Sequence, residues 1–303
     1  MKRNIVWAAL SMVLLFASCK NENLEMQRKV NFEVDPHEVI SGFTYEMSED
    51  VLESFSPDYK LRVHLLVYDE MGYLVASNVD YLSNYQGIMN ASAVLWDGKY
   101  TAVAITDVVK YDGGVTSNYW RIAATDRLSD LKVSDAGNDG GKYKILGISD
   151  YHFNVREGSV DHTIQVKPAG ALFLVRSINI HYYNTVERYK LGMNKSADYC
   201  TFNSDGNFAV AVENGGDNYK WQLGYFEPQE YVGFNECYYY DFVLPQGRTA
   251  FQWLGKTDNN TWHYAGDKMS ANISSGQEYL VRFELGNDIK VQMELVNGGK
   301  VAE

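Results

Sequence analysis

The side chains able to bind metal or carry protons are His37, His64, His152, His162, His181 and His263, the three cysteines Cys19, Cys200 and Cys237, and 39 acidic residues. No two histidines stand at the short helical spacing that presents a pair of imidazoles to zinc. Neither Cys200 nor Cys237 has a second Cys or a His at ligand spacing, so no metal site is expected. His64 and His162 fall inside alternating strand patterns and read as sheet-face residues. The chain has no Gly-x-Ser-x-Gly elbow and no phosphate-cradling Gly-Lys-Ser/Thr loop. The run 135–141 (DAGNDGG) has the flavour of a calcium loop, but Leu146 stands where the closing bidentate Glu belongs, so a calcium-binding hand is rejected. No carboxylate pair stands out from the acidic background as glycosidase machinery. These absences predict a protein that is not an enzyme and needs no cofactor.

Aromatic side chains offer a different chemistry. Trp221, Trp262 and Tyr264 lie in an aromatic-rich second half, and Asp258 and Asn259 come just before Trp262. Rings can cover the apolar faces of a sugar while amide and carboxylate tips take its hydroxyls. These five residues are the candidate site for a host or dietary glycan. The competing reading is that β-strands bury rings in their core and pair them across strands.

The remaining chemistry is at the amino terminus. Lys2 and Arg3 are followed by a short apolar run, 5–16, and then by Ala17, Ser18 and Cys19. That is the layout of a secretory signal, and the run is short for a membrane span, which needs about 20 residues. Phe16-Ala17-Ser18-Cys19 resembles a bacterial lipobox. The resemblance implies removal of residues 1–18, diacylglycerol on the Cys19 sulfur and an acyl chain such as palmitate on its new amine. Residues 19–29 then form a polar tether. The formal charge of −12 becomes more negative once Lys2 and Arg3 are removed. Nucleic acid is therefore not an expected partner, and the lipid rather than surface charge must hold the protein at a bilayer. In an exported setting Cys200 and Cys237 have two readings. They pair, closing a loop of about 36 residues worth about 3–4 kcal/mol, or they stay as buried thiols.

The elements that would position these residues are strands. Tyr numbers 23 and aromatics reach 14% of the 303 residues, a composition that favours sheet. Residues 61–68 alternate and then run on apolar, 69–72 supply a turn, and 73–76 resume, as in a hairpin. Trp96-Asp97-Gly98-Lys99 is a second turn, followed by the buried-type strand 100–105. Further strand patterns occupy 151–155, 162–166, 171–175, 178–182, 208–212, 238–244, 250–254, 279–285 and 289–296. Only 119–133 has helical character, enough for one turn. The expected fold is all-β, two tandem antiparallel β-sandwich domains covering 30–158 and 159–303, with the break at Arg156-Glu157-Gly158-Ser159.

The order of these segments carries a resemblance. A lipobox, a short strand at 30–34, a variable loop, LRVHLLVYD at 61–69 and LWDGKYTAVAI at 95–105 resemble the amino-terminal domain of fimbrillin-like lipoproteins of Bacteroidia. TIQVKPAGAL at 163–172 resembles the opening of their second domain, and GQEYLVRFEL at 276–285 the strand near their carboxyl end. The resemblance implies two transthyretin-like domains, an outer-membrane and cell-surface location, other fimbrial subunits as partners, and adhesion through β-strand addition. It also implies that stalk subunits are cut at an Arg after the first strand. Here the loop 35–59 contains no Arg or Lys, which points to an anchor or accessory subunit that keeps its first strand.

Overall fold

The computed structural model describes residues 26–41, 58–84, 86–138, 143–156, 160–178, 186–193, 197–203, 206–211, 225–226, 236–244, 248–257, 262–284 and 290–295. In the second half, side chains are described only for 171–173, 197–203, 206–211, 242–244, 248 and 270–281. Among the described residues strand dominates. The first half holds β1 (Arg28–Asp35), a helical turn α1 (His37–Ser41), β2 (Tyr59–Asp69), β3 (Leu74–Leu82), β4 (Met89–Leu95), β5 (Lys99–Tyr111), β6 (Val115–Asn118), β7 (Trp120–Ala123), a 3-10 turn (Leu128–Asp130), β8 (Lys132–Asp135), β9 (Leu146–Asn154) and β10 (Asp161–Gln165). The second holds β11 (Ala171–Ile178), β12 (Val186–Met193), β13 (Tyr199–Phe202), β14 (Phe208–Ala211), β15 (Tyr225–Phe226), β16 (Glu236–Val243), β17 (Arg248–Thr257), β18 (Trp262–Asn272), β19 (Glu278–Glu284) and β20 (Lys290–Leu295).

Among the described residues five sheets result, with strand orders β10-β1-β4, β3-β2-β5-β6 (β9 also pairs with β5), β14-β13-β8-β7, β16-β11-β19-β20 and β15-β12-β17-β18. The all-β expectation holds. Pairing is antiparallel except at β1–β10 and β11–β19, which run parallel. A parallel pair needs a long crossover, and each of these joins an early strand of its half to a late one. β10 follows the break placed at Gly158 in the sequence yet pairs with β1, and β13 pairs with β8 of the first half.

β5 is the centre of the first core. Ala102 to Val109 are buried without alternation, because both faces of its sheet are covered. One face lies under the β10-β1-β4 sheet, as the contact of Phe32 with Phe153 shows. The other lies under β7, the 3-10 turn and the β13–β14 hairpin: Arg62 donates to the Trp120 carbonyl, and the Phe208 amide donates to Asp150. On this second face Arg62 grips Asp107 with two hydrogen bonds, 2.7 and 2.8 Å long, across the β2–β5 pair. Burial pushes the Asp107 carboxyl up to about 6, against the pull of Arg62. Next along β2, burial and then Arg62 push the His64 imidazole down to about 4.

The helical expectation at 119–133 shrinks to the 3-10 turn, flanked by the short strands β7 and β8. Trp120 and Val133 are buried, and adjacent strands satisfy their backbone. The turn α1 lies where a plain loop was expected. Asp35 Oδ1 accepts the His37 amide at 2.9 Å, and the Val39 amide donates to the Pro36 carbonyl. These bonds start the turn and drive Val39 and Ile40 into the core.

Candidate functional site

The feature most open to functional use is the slot that holds β1. Its inward residues Val30, Phe32 and Val34 are fully buried, while Lys29, Asn31 and Glu33 face solvent. β4 binds one edge antiparallel over Arg28 to Val34, and β10 binds the other parallel over Asn31 to Asp35. Side chains add to the ladder: the Asn31 amide donates to Asp161 at 2.7 Å, and the Gln165 amide donates to Asp35 at 3.3 Å. The floor is aromatic. Phe32 meets Phe153 edge-on at 5.5 Å, and Phe153 lies 5.6 Å from Tyr100 and 4.7 Å from His162. Desolvation lowers the His162 pKa although Asp161 opposes it, so the imidazole fits this apolar wall in its neutral form.

At the far end of the slot α1 acts as a plug. Val39 presses on the backbone of β9 at Gly147. A Cβ there would overlap Val39 Cγ2 and stand 3.0 Å from Val166, so glycine is required by close approach. Together Val30, Phe32, Val34, Val39 and Ile40 bury five apolar side chains, worth roughly 7–15 kcal/mol of gross hydrophobic stabilisation. That is comparable with the whole net stability of a domain. β1 is therefore held on both edges and from below, rather than resting on the sheet by a few bonds.

β3 contrasts with β1. It is an edge strand, bridged at its start where Tyr73 pairs with Arg127. Beyond that point, among the described residues, no strand pairs with its outer edge. Val75 and Val79 are exposed on it. A long edge with exposed apolar side chains can accept another strand.

A cleft of about 540 Å³ opens at the end of the first half, between the β2–β3 turn, the start of β5, the end of β9 and the β13–β14 hairpin. Its β2–β3 turn is shaped by Gly72, at φ +78°, and by Asp69, whose carboxylate accepts the amides of Met71 and Tyr73. His152 lines it, with Nδ1 2.9 Å from the Thr101 hydroxyl and Nε2 3.6 Å from Asp150. Arg127 stacks on Tyr73 at 4.3 Å at its rim. Among the described residues no group of three His, Cys, Asp or Glu is placed to hold a metal. Asp135, first residue of the calcium-like run, is bound by Lys144 at 2.7 Å and by the Gly137 amide.

Cys19, Trp221, Asp258 and Asn259 lie outside the described residues, as do the side chains of Trp262, Tyr264 and Cys237. The backbones of Trp262 and Tyr264 lie on β18, opposite Lys256 and Leu254 of β17. Cys200 is a free thiol, buried at the centre of β13, and burial raises its pKa. The slot was legible in part: the 30–34 alternation marks the strand, but nothing local marks β10 as its parallel partner. Asp35-Pro36-His37-Glu38, a capping sequence, was the available signal for α1. The cleft is assembled from five separate segments and has no motif.

No family model matches the chain, and no curated protein matches it by sequence. Solved structures do match. A candidate polysaccharide-binding protein from Bacteroides thetaiotaomicron aligns with a TM-score of 0.53 at 12% identity, over 92% of this chain and 99% of that one. A candidate adhesin from the same organism aligns with a TM-score of 0.51 at 13% identity, over 92% and 100%. The fimbrial anchor protein Mfa2 from Porphyromonas gingivalis aligns with a TM-score of 0.47 at 12% identity, over 92% and 100%. The chain carries the all-β fold of the two Bacteroides proteins over nearly its whole length, and its structural neighbours are adhesin-like and fimbrial proteins of Bacteroidia.

Proposed function

We propose that this protein is a lipid-anchored fimbrial subunit of anchor or accessory type, held at the outer membrane by acylated Cys19 and serving cell-surface adhesion. The observation that carries the reading is the slot. β1 is paired on both edges and buried with its plug, and the loop that follows it has no Arg or Lys for cleavage. A subunit built this way keeps its own first strand and so ends or roots a fibre rather than extending it by strand exchange. Contact with the next subunit then falls to a free edge, and β3 is the strand whose backbone and exposed valines offer one. We divide the chain into two β-sandwich units, with the crossover running along β9, where Pro168 bridges Gly147, into β11. The fold likeness to an adhesin supports the adhesion role.

The test is gentle detergent extraction from native cells, native sizing, and identification of what co-migrates. A high-mass species containing other lipoprotein or fimbrial subunits is expected, together with an intact amino-terminal strand after Cys19. A lone species of monomer size overturns the fimbrial reading, and Cys19→Ala protein that stays in the membrane fraction overturns the lipid anchor.

A further inference from the structure

Several large apolar side chains are exposed, and four gather at one end of the first half. Met26 is 56% exposed, Val94 64%, Trp96 51% and Met71 77%. The strand registers fix their common location. Arg28 pairs with Leu95, and Lys29 with Val94, so Met26 and Trp96 stand at the start of β1 and the end of β4. The Asp97 amide donates to the Met26 carbonyl at 3.2 Å. Asp69 pairs with Tyr100, which brings the β2–β3 turn and Met71 to the same end. Lys29 is exposed beside Val94, and Lys99 is exposed next to Glu70. The opposite end of the sheet is where the chain leaves for its second half: the Ala169 amide donates to Leu146, two residues before β11 begins.

We propose that the end bearing Trp96, Val94, Met26 and Met71 is a membrane-seating surface, with a phospholipid bilayer as its occupant. The inference rests on the reading of Cys19 as the acylated residue. Seven peptide units separate Cys19 from Met26, so the chain reaches at most about 25 Å between the lipid and this end. A tether that short holds the patch at a high effective concentration over the bilayer, where weak contacts suffice. The chemistry fits an interface. Trp sits at headgroup level with its ring in the apolar boundary, Met and Val enter the boundary, and lysines reach phosphates from their flexible stems. The geometry also orients the molecule: with this end on the membrane, the crossover to the second half points away from it.

The test uses the full acylated protein, purified from native membranes and placed in vesicles of phosphatidylethanolamine and phosphatidylglycerol, with and without bromine on the acyl chains. Bromine quenches only rings within the boundary. Part of the tryptophan emission of the wild type is expected to be bromine-sensitive, and Trp96→Leu, a change at a half-exposed site, is expected to abolish that part. Intact mass shows whether Cys19 carries lipid. Acylated protein whose emission ignores bromine, or whose Trp96→Leu form is quenched equally, overturns the seating while leaving the anchor standing. A Cys19 without acyl mass removes the premise and the proposal with it. Trp96 shielded in the native high-mass species but blind to bromine in vesicles assigns the patch to a protein neighbour, and the proposal falls.

Discussion

Phe32→Ala tests how firmly the first strand is held. The ring is fully buried and stands edge-on to Phe153 at 5.5 Å, with His162 at 5.8 Å. Truncation removes its transfer energy and leaves a hole that β4 and β10 cannot close, because both are tied to β1 by their ladders. Phe→Ala changes of this kind cost about 3–5 kcal/mol. A global unfolding curve would blur this, since a chain of 303 residues need not melt as one unit. Hydrogen exchange of the β1 amides reads the local opening directly. At about 1.4 kcal/mol per decade, those amides should exchange roughly 100- to 3,000-fold faster in the variant. Amides on β11 and β16 should be unchanged. Phe32→Leu keeps most of the volume and should fall between wild type and Ala. The reasoning is refuted if β1 amides in the wild type already exchange like those of an open loop. It is equally refuted if Phe32→Ala changes them by less than about tenfold, because either result means the slot does not grip its strand.

Gly147→Ala should destabilise by about 1–3 kcal/mol, since Val39 is β-branched and cannot rotate clear of the new methyl. Val39→Ala should restore part of that loss in a double-mutant cycle of urea midpoints, and strict additivity would show that the two do not touch. The pair His64 and Asp107 should oppose each other in acid. His64 is lowered to about 4 when folded, so its contribution is complete above about pH 6.5 and is lost as pH falls toward 4. Asp107 is raised to about 6, so its contribution grows as pH falls from 6 toward 4 and is lost as pH rises. His64→Gln removes the first slope, and the variant should gain on the order of 2–3 kcal/mol relative to wild type between pH 7 and pH 4.5. Denaturant midpoints at the two pH values measure it, and parallel profiles for the two proteins would contradict the assignment.

Much of the framework could be read from residue order. The hairpin of LRVHLLVYD with the strand after Gly72 does form, from Leu61–Leu82 to Tyr68–Leu74, and the strand read at 100–105 lies within β5, because alternation and the Asp69–Gly72 and Trp96–Lys99 turns are local signals. The tail strands β19 and β20 were legible for the same reason. What escaped was pairing at long range. Period two announces a strand at 162–166, which forms as β10, but not that its inner face, through His162, closes over the Phe32 and Phe153 rings. Nothing local in the sequence marks Arg62 and Asp107 as partners across β2 and β5. Asp107 is buried and Arg62 largely covered because β7 and its neighbours cover a face that a two-layer sandwich would leave wet. The exposed end at Trp96 reads in sequence as a turn residue, and only the register with β1 places it beside Met26 and the start of that strand.

The parallel bond between β1 and β10 also sets a timetable. Asn31 and Asp161 touch across 130 positions of sequence. Loop closure on that scale is slow compared with the β2–β3 hairpin, whose partners are neighbours in sequence. As the chain is threaded out from its amino terminus, β1 emerges first but acquires its second wall last. Until residue 165 has emerged, the slot has one edge, an aromatic floor and an untethered occupant. During that interval a strand from another chain meets the same unfilled seat as β1 does. The folded protein holds β1 on both edges, while the nascent one passes through an open form whose lifetime is set by how fast the chain emerges.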